Sequence, residues 1–207
     1  TGHLDADIQA RDVQGIVENN EMREQIEKGN FLSMMAKMAK EAQREAILFA
    51  EGGMAASRGM DLFLAGMGGL YLGIAVAEKL NLPFLQAYVV PFTPTREFSS
   101  VLTPNLPTPF NRLSHQLTRQ LMWQGFRSAD TLARQKTLGL PTAPLSGPYN
   151  SKPTHGMPVL YGFSPSVIPV PSDWDESIHV TGYWFVDEAD GWTPPPVLLN
   201  FLEAGTP

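Results

Sequence analysis

The most constraining stretch is residues 61–90, where a short apolar run, a glycine-rich turn, a helical segment and a second apolar run follow within thirty residues. Asp61-Leu62-Phe63-Leu64-Ala65 has the length and composition of a buried strand, and Gly66-Met67-Gly68-Gly69 turns the chain. Leu70 to Leu80 reads as a helix ended by Asn81-Leu82-Pro83. Phe84 to Val90, rich in aromatic and β-branched residues and stopped by Pro91, reads as the next strand. Strand, turn, helix and strand in this order form a βαβ unit. That unit requires parallel strands and places the chain in the α/β class, with a Rossmann-like sheet flanked by helices.

The flanking sequence extends the pattern. Apolar residues at 31, 34, 35, 38, 42, 46 and 49 predict a helix capped by Asn30 and stopped by Gly52-Gly53. Five prolines between 91 and 109 make that segment a long loop, and Asn111 to about Leu138 reads as a long helix. Leu113, Leu117, Leu121, Met122 and Phe126 are expected on one side of that helix, which Gly139-Leu140-Pro141 closes. Short strands are expected at 159–163 and 178–183, and a helix at 197–204 after the proline run 194–196. The sequence contains no internal repeat.

Composition narrows the function classes. With 43% hydrophobic and 17% charged residues the chain is globular. A net charge of −6 without a Lys/Arg-rich run argues against nucleic-acid binding. Cysteine is absent, which removes disulfides, thiolate metal sites and a Cys nucleophile, and fits a reducing cytoplasm. No apolar run is long enough to span a bilayer. Position 1 is Thr, so the chain reads as one that does not start at a natural beginning, and nothing there resembles a signal peptide.

In an open parallel sheet, ligands sit outside the carboxyl ends of the strands. The 66–69 turn and the loop from 91 leave adjacent strand ends, so both are expected to wall one crevice. Gly66-Met67-Gly68-Gly69 is no dinucleotide fingerprint, because Tyr71 stands where the last glycine is needed. Met67, Gly68, Gly69, Phe92, Thr93, Thr95, Phe98 and Leu102 are therefore the candidate binding residues, an apolar surface with a few hydroxyls that suits a lipophilic alcohol. Trp123 and its neighbours are expected in the core, and His115 is expected as a hydrogen-bonded structural histidine rather than a base. His3, His155 and His179 lack ligand spacing, so no metal site is expected. Gly162-Phe163-Ser164-Pro165-Ser166 departs from a nucleophile elbow at Pro165 and Ser166. Asp187, Glu188 and Asp190 read as a solvated acidic loop.

Several segments taken in order carry a family likeness. Pro91-Phe92-Thr93-Pro94-Thr95-Arg96 is followed by Asn111-Arg112-Leu113-Ser114-His115 and Tyr161-Gly162-Phe163-Ser164-Pro165. Val180-Thr181-Gly182-Tyr183-Trp184-Phe185, Trp192-Thr193-Pro194-Pro195 and Phe201-Leu202-Glu203-Ala204-Gly205 complete the series. Over roughly residues 20–207 the chain resembles the sterol- and macrolide-type glycosyltransferases of the GT-B fold, related to UDP-glucose:sterol glucosyltransferases. The resemblance implies an acceptor-binding Rossmann-like domain over 1–190, followed over 191–207 by the interdomain linker and the start of a helix. It also implies that the family's opening strand, with its Gly-Asp-x-x-Pro carboxylate loop, and the donor domain, with its His-x-Gly-Gly region, lie outside this sequence.

On that reading no catalytic residue and no cofactor belongs to this chain, and a UDP-sugar donor serves the intact enzyme. The implied partners are a lipophilic small-molecule acceptor, the missing N-terminal segment and C-terminal donor domain, and a peripheral membrane contact. Self-association through unpaired sheet edges is expected. The alternatives are a non-catalytic small-molecule or protein-binding module with the same half-fold, and a different Rossmann-like enzyme, a hydrolase or dehydrogenase.

Overall fold

A computed structural model describes residues 31–103, 106–185 and 195–204. The expected cap Asn30, the acidic cluster 187–190, Trp192 to Pro194 and Gly205 lie outside the described residues. Helix α1 spans Phe31–Ala56, strand β1 Phe63–Ala65, helix α2 Leu70–Leu80 and strand β2 Phe84–Tyr88. Helix α3, Asn111–Ala133, continues into a π-turn at Arg134–Leu138; strands β3, Val159–Tyr161, and β4, Ile178–Val180, follow, and α4 spans Pro196–Glu203.

The four strands form one sheet in the order β1-β2-β3-β4, with every neighbouring pair parallel. This is the α/β sheet flanked by helices that the βαβ pattern predicts. Each strand is shorter than its apolar run, because pairing rather than composition sets its ends. Strand β2, for example, stops at Tyr88, whose partner Tyr161 ends β3.

A parallel sheet that grows steadily in one direction through right-handed crossovers carries its crossover helices on one face. That face holds the in-register residues Phe63, Phe84, Gln86, Tyr88 and Tyr161, and its aromatic rings join a core with Tyr71, Ile74 and Trp123. Helix α2 ends on Asn81, whose left-handed backbone (φ 56°) directs its N–H to the carbonyls of Ala77 and Glu78. Two glycines permit close approach. A Cβ on Gly73 would lie 2.9 Å from the Phe84 ring, and one on Gly53 3.2 Å from Val76.

Gly53 also corrects an expectation. Gly52-Gly53 does not stop α1, which runs on to Ala56. Its buried side comprises Met35, Ala46 and Ala50, with Gly53 against α2, so the glycine serves helix–helix contact. Phe49, expected on the inward side, is 38% exposed.

Helix α3 carries a second correction. Met122 and Trp123 are buried as expected, but Leu113, Leu117 and Leu121 face outward. The inward stripe near the N-terminus is polar instead: Asn111, Ser114, His115 and Thr118. The cause is the preceding loop, whose backbone groups need partners that leucines cannot supply. Further along, Arg134 is buried with Asp130 at 2.9 Å and Glu78 at 2.9 Å, which ties α3 to α2.

Candidate functional site

The turn and the loop leave the carboxyl ends of β1 and β2. Met67–Gly69 forms a single 3₁₀ turn that runs directly into α2. Gly66 lies so close to β2 that a Cβ there would meet the Ala87 carbonyl at 2.9 Å. Met67 and Gly69 keep part of their surface and Gly68 is exposed.

The proline-rich loop is pinned at several points. Phe92 and Thr93 donate their N–H groups to the Tyr161 phenol oxygen at 3.0 and 2.7 Å, and that phenol donates to Thr93 Oγ1 at 2.8 Å. Burial pushes the Tyr161 phenol up, against the pull of its Thr93 bond, so it acts as a neutral hub. Thr95 donates to Asp173 Oδ1 at 2.5 Å, and Arg96 N–H donates to Asp173 Oδ2 at 3.0 Å. Slight burial works to raise the Asp173 carboxyl, but these bonds hold it below the usual carboxylate range. Ser100 N–H donates to Ser114 Oγ at 2.8 Å, and the Ser100 and Thr118 hydroxyls bond at 2.7 Å.

His115 meets the Phe98 carbonyl through Nε2 at 3.0 Å, and its ring stands edge-on to Phe98. Burial pushes its pKa down. Its engaged Nε2 and its burial make it a structural histidine.

Of the predicted binding residues, Phe92 is 4% exposed and packs with Tyr88 and Tyr149 in the core, and Thr95 is fully buried. Thr93, Phe98 and Leu102 keep partial surface, as do Met67 and Gly69. The fold therefore divides these residues into braces and accessible wall. Thr93 also faces a cavity of about 730 Å³ beneath α3, lined further by Arg112, Arg119, Tyr149, Asp173 and Trp174.

That cavity was not legible as a site in the sequence. Arg112 and Arg119, seven apart, share one face of α3, which is the local signal for it. Tyr149 reaches them only through the fold. Its hydroxyl donates to the Arg119 carbonyl at 2.7 Å and so accepts from Tyr71 at 2.6 Å, which fixes its ring against α3. Among the described residues no group of three His, Cys, Asp or Glu is placed to hold a metal ion.

The architecture is thus a Rossmann-like parallel α/β sheet, consistent with a GT-B domain, with a braced loop at the carboxyl end of β2. No family model matches the chain. It is 35% identical over 157 residues to a sterol 3-beta-glucosyltransferase of Cryptococcus neoformans, 72% of this chain and 10% of that protein. Sterol 3-beta-glucosyltransferases of Pichia angusta, 36% identical over 63% of the chain, and Neurospora crassa, 34% over 71%, are similar. The chain spans about a tenth of the length of these relatives. Sterol 3-beta-glucosyltransferases are therefore homologues of this chain over most of its length, in agreement with the resemblance carried by its motifs.

Proposed function

We propose that this chain supplies the acceptor side of a glycosyltransferase. That enzyme transfers a hexose from a nucleotide diphosphate sugar to a hydroxyl of a lipophilic acceptor, a sterol first among the candidates. The observation that carries this reading is the similarity to sterol 3-beta-glucosyltransferases over 72% of the chain. The geometry supports it. A turn and a loop at adjacent parallel strand ends offer Met67, Gly68, Gly69, Phe98 and Leu102 as accessible wall, with Thr93 as an orienting hydroxyl. Phe92 and Thr95 brace that wall from beneath.

In this reading the general base and the groups that stabilise the departing diphosphate belong to parts of the enzyme outside these 207 residues. The chain alone is then inactive, and the UDP-sugar binds elsewhere. No described helix is long and apolar enough to cross a membrane. A cytoplasmic enzyme touching the membrane peripherally to collect its acceptor is the setting this reading favours.

Two measurements test it. The purified chain incubated with UDP-glucose and a panel of sterols should give no glucoside by mass spectrometry; turnover would overturn the assignment of catalysis to other segments. A photoactivatable sterol should crosslink to peptides containing Met67, Phe98 or Leu102, in competition with unlabelled sterol. Labelling confined to other peptides, or indifferent to competitor, would leave a non-catalytic module as the better description.

A further inference from the structure

Arg119 is a cation without an anion. Its guanidinium lies 3.9 Å from the centre of the Tyr149 ring and 5.6 Å from that of Phe92. Its Nε is shut away from solvent with no hydrogen-bond partner, and among the described residues it forms no ion pair. Arg134, on the same helix, is also buried but is answered by Asp130 and Glu78. Buried donors are ordinarily partnered, and a partly desolvated cation is unfavourable until an anion meets it.

The surroundings point the same way. Two cavities, of about 730 and 240 Å³, share Thr93, Arg119, Tyr149, Asn150, Asp175 and Ile178, so Arg119 stands where they meet. The larger has the size of a small-molecule site. Trp174 in its wall stacks flat on Tyr161, centroids 4.9 Å apart, and its indole N–H is a second buried donor without a partner.

The carboxylates of the cleft are already engaged. Asp173 accepts from Thr95 and Arg96, and Asp175 from the Ser177 N–H and hydroxyl. The cleft thus sets Arg112 and Arg119 against Asp173 and Asp175, with Arg112 acting on Asp173, and Arg119 is the charged group there without a bonded counterpart. With Nε sealed in, a guanidinium stacked on an aromatic face keeps its terminal N–H groups free for paired bonds to two oxygens of one anion.

We propose that this cleft binds a small hydroxylated anion, a phosphate or carboxylate whose charged oxygens pair with Arg119. Gln116 and Asn150 line the same cavity and take the ligand's hydroxyls. The site shares Thr93 with the acceptor wall but does not rest on that reading, since the hydroxyl of a neutral alcohol would leave the Arg119 charge unanswered.

The test titrates the 207-residue chain with glucose 6-phosphate, gluconate and glucose, followed by tryptophan fluorescence and by calorimetry. At least one of the two anions should saturate, with glucose inert and affinity falling as salt rises. Saturation by glucose 6-phosphate alone identifies a phosphate, and by gluconate alone a carboxylate. Arg119→Gln should weaken binding about tenfold or more, as loss of a charge-assisted pair does, and Arg119→Lys should recover only part of it. Because Arg119 packs on two rings, Ser146→Trp serves as a second variant: it fills the exposed mouth of the cleft, leaves the stack intact and should abolish binding. No saturation by either anion, equal binding of glucose, or undiminished binding in a folded Arg119→Gln protein overturns the proposal.

Discussion

The two faces of the sheet are built from the same short strands but meet different surroundings. On one, Phe84, Tyr88 and Tyr161 are buried under α2, α3 and the braced loop. On the other, the in-register row runs through Leu64 and Leu85, then Ala87, Leu160 and His179, and only Ala87 of these is buried. Leu64 is 56% exposed. Parallel sheets are normally covered on both faces, by helices wound in opposite directions from a central strand. A strand order that advances in one direction only accounts for the difference: the described crossovers all pass over one face.

The largest expected effect tests that contrast directly. Phe84→Ala removes a fully buried ring stacked on Phe63 and should cost about 3–5 kcal/mol in urea unfolding. Leu64→Ala on the bare face should cost about 1 kcal/mol or less, since little of its burial is lost. Comparable losses at both positions would mean that the second face is covered in solution.

How much of this was legible in the sequence differs between the same two regions. The βαβ unit could be read because its signals are local: an apolar run, glycines at a turn, Asn81 and Pro83 at a helix end. Helix α2 has the bounds the sequence predicts, Leu70–Leu80. The mistaken features depend on partners distant in sequence. Gly52-Gly53 looks like a stop until Val76 is found against Gly53. The leucines of α3 look like the inward stripe until the 92–103 loop claims Asn111, Ser114 and Thr118 as hydrogen-bonding residues. The candidate site divides in the same way. The 66–69 turn and the loop from 91 follow from strand order, whereas the Arg119–Tyr149 stack joins residues thirty apart whose spacing carries no periodic signal.

An intermediate effect concerns the brace over the covered face. Tyr161→Phe preserves the ring stacked on Trp174 and removes the hydroxyl that serves Phe92 and Thr93. Two backbone N–H groups then lose their acceptor, at a cost of about 1–3 kcal/mol. His179→Phe, in the exposed row of the other face, should stay within about 0.5 kcal/mol of the parent. Paired urea melts measure both, and a silent Tyr161→Phe would show that solvent reaches the loop and that the covered face is less closed than the buried phenol implies.

The smallest effect is one of pH, in the layer where α3 meets the loop. Burial lowers the His115 pKa below its usual 6.5, with Arg119 acting in the same direction and the Phe98 carbonyl and Asp173 opposing. The folded protein therefore holds His115 neutral at acidities where the unfolded chain has already bound a proton. Stability from this residue is fully present above about pH 6.5 and declines as the pH falls through that value towards the lowered folded pKa. Below the folded pKa both states are protonated and the contribution no longer changes. The wild-type chain should lose more stability between pH 7.5 and 5.5 than His115→Gln, whose amide can still donate to the Phe98 carbonyl but does not titrate. Melting curves of the two proteins at the two pH values decide the matter. Parallel curves for wild type and His115→Gln would mean that the histidine is solvated in solution and that the layer above the covered face opens more readily than its hydrogen bonds suggest.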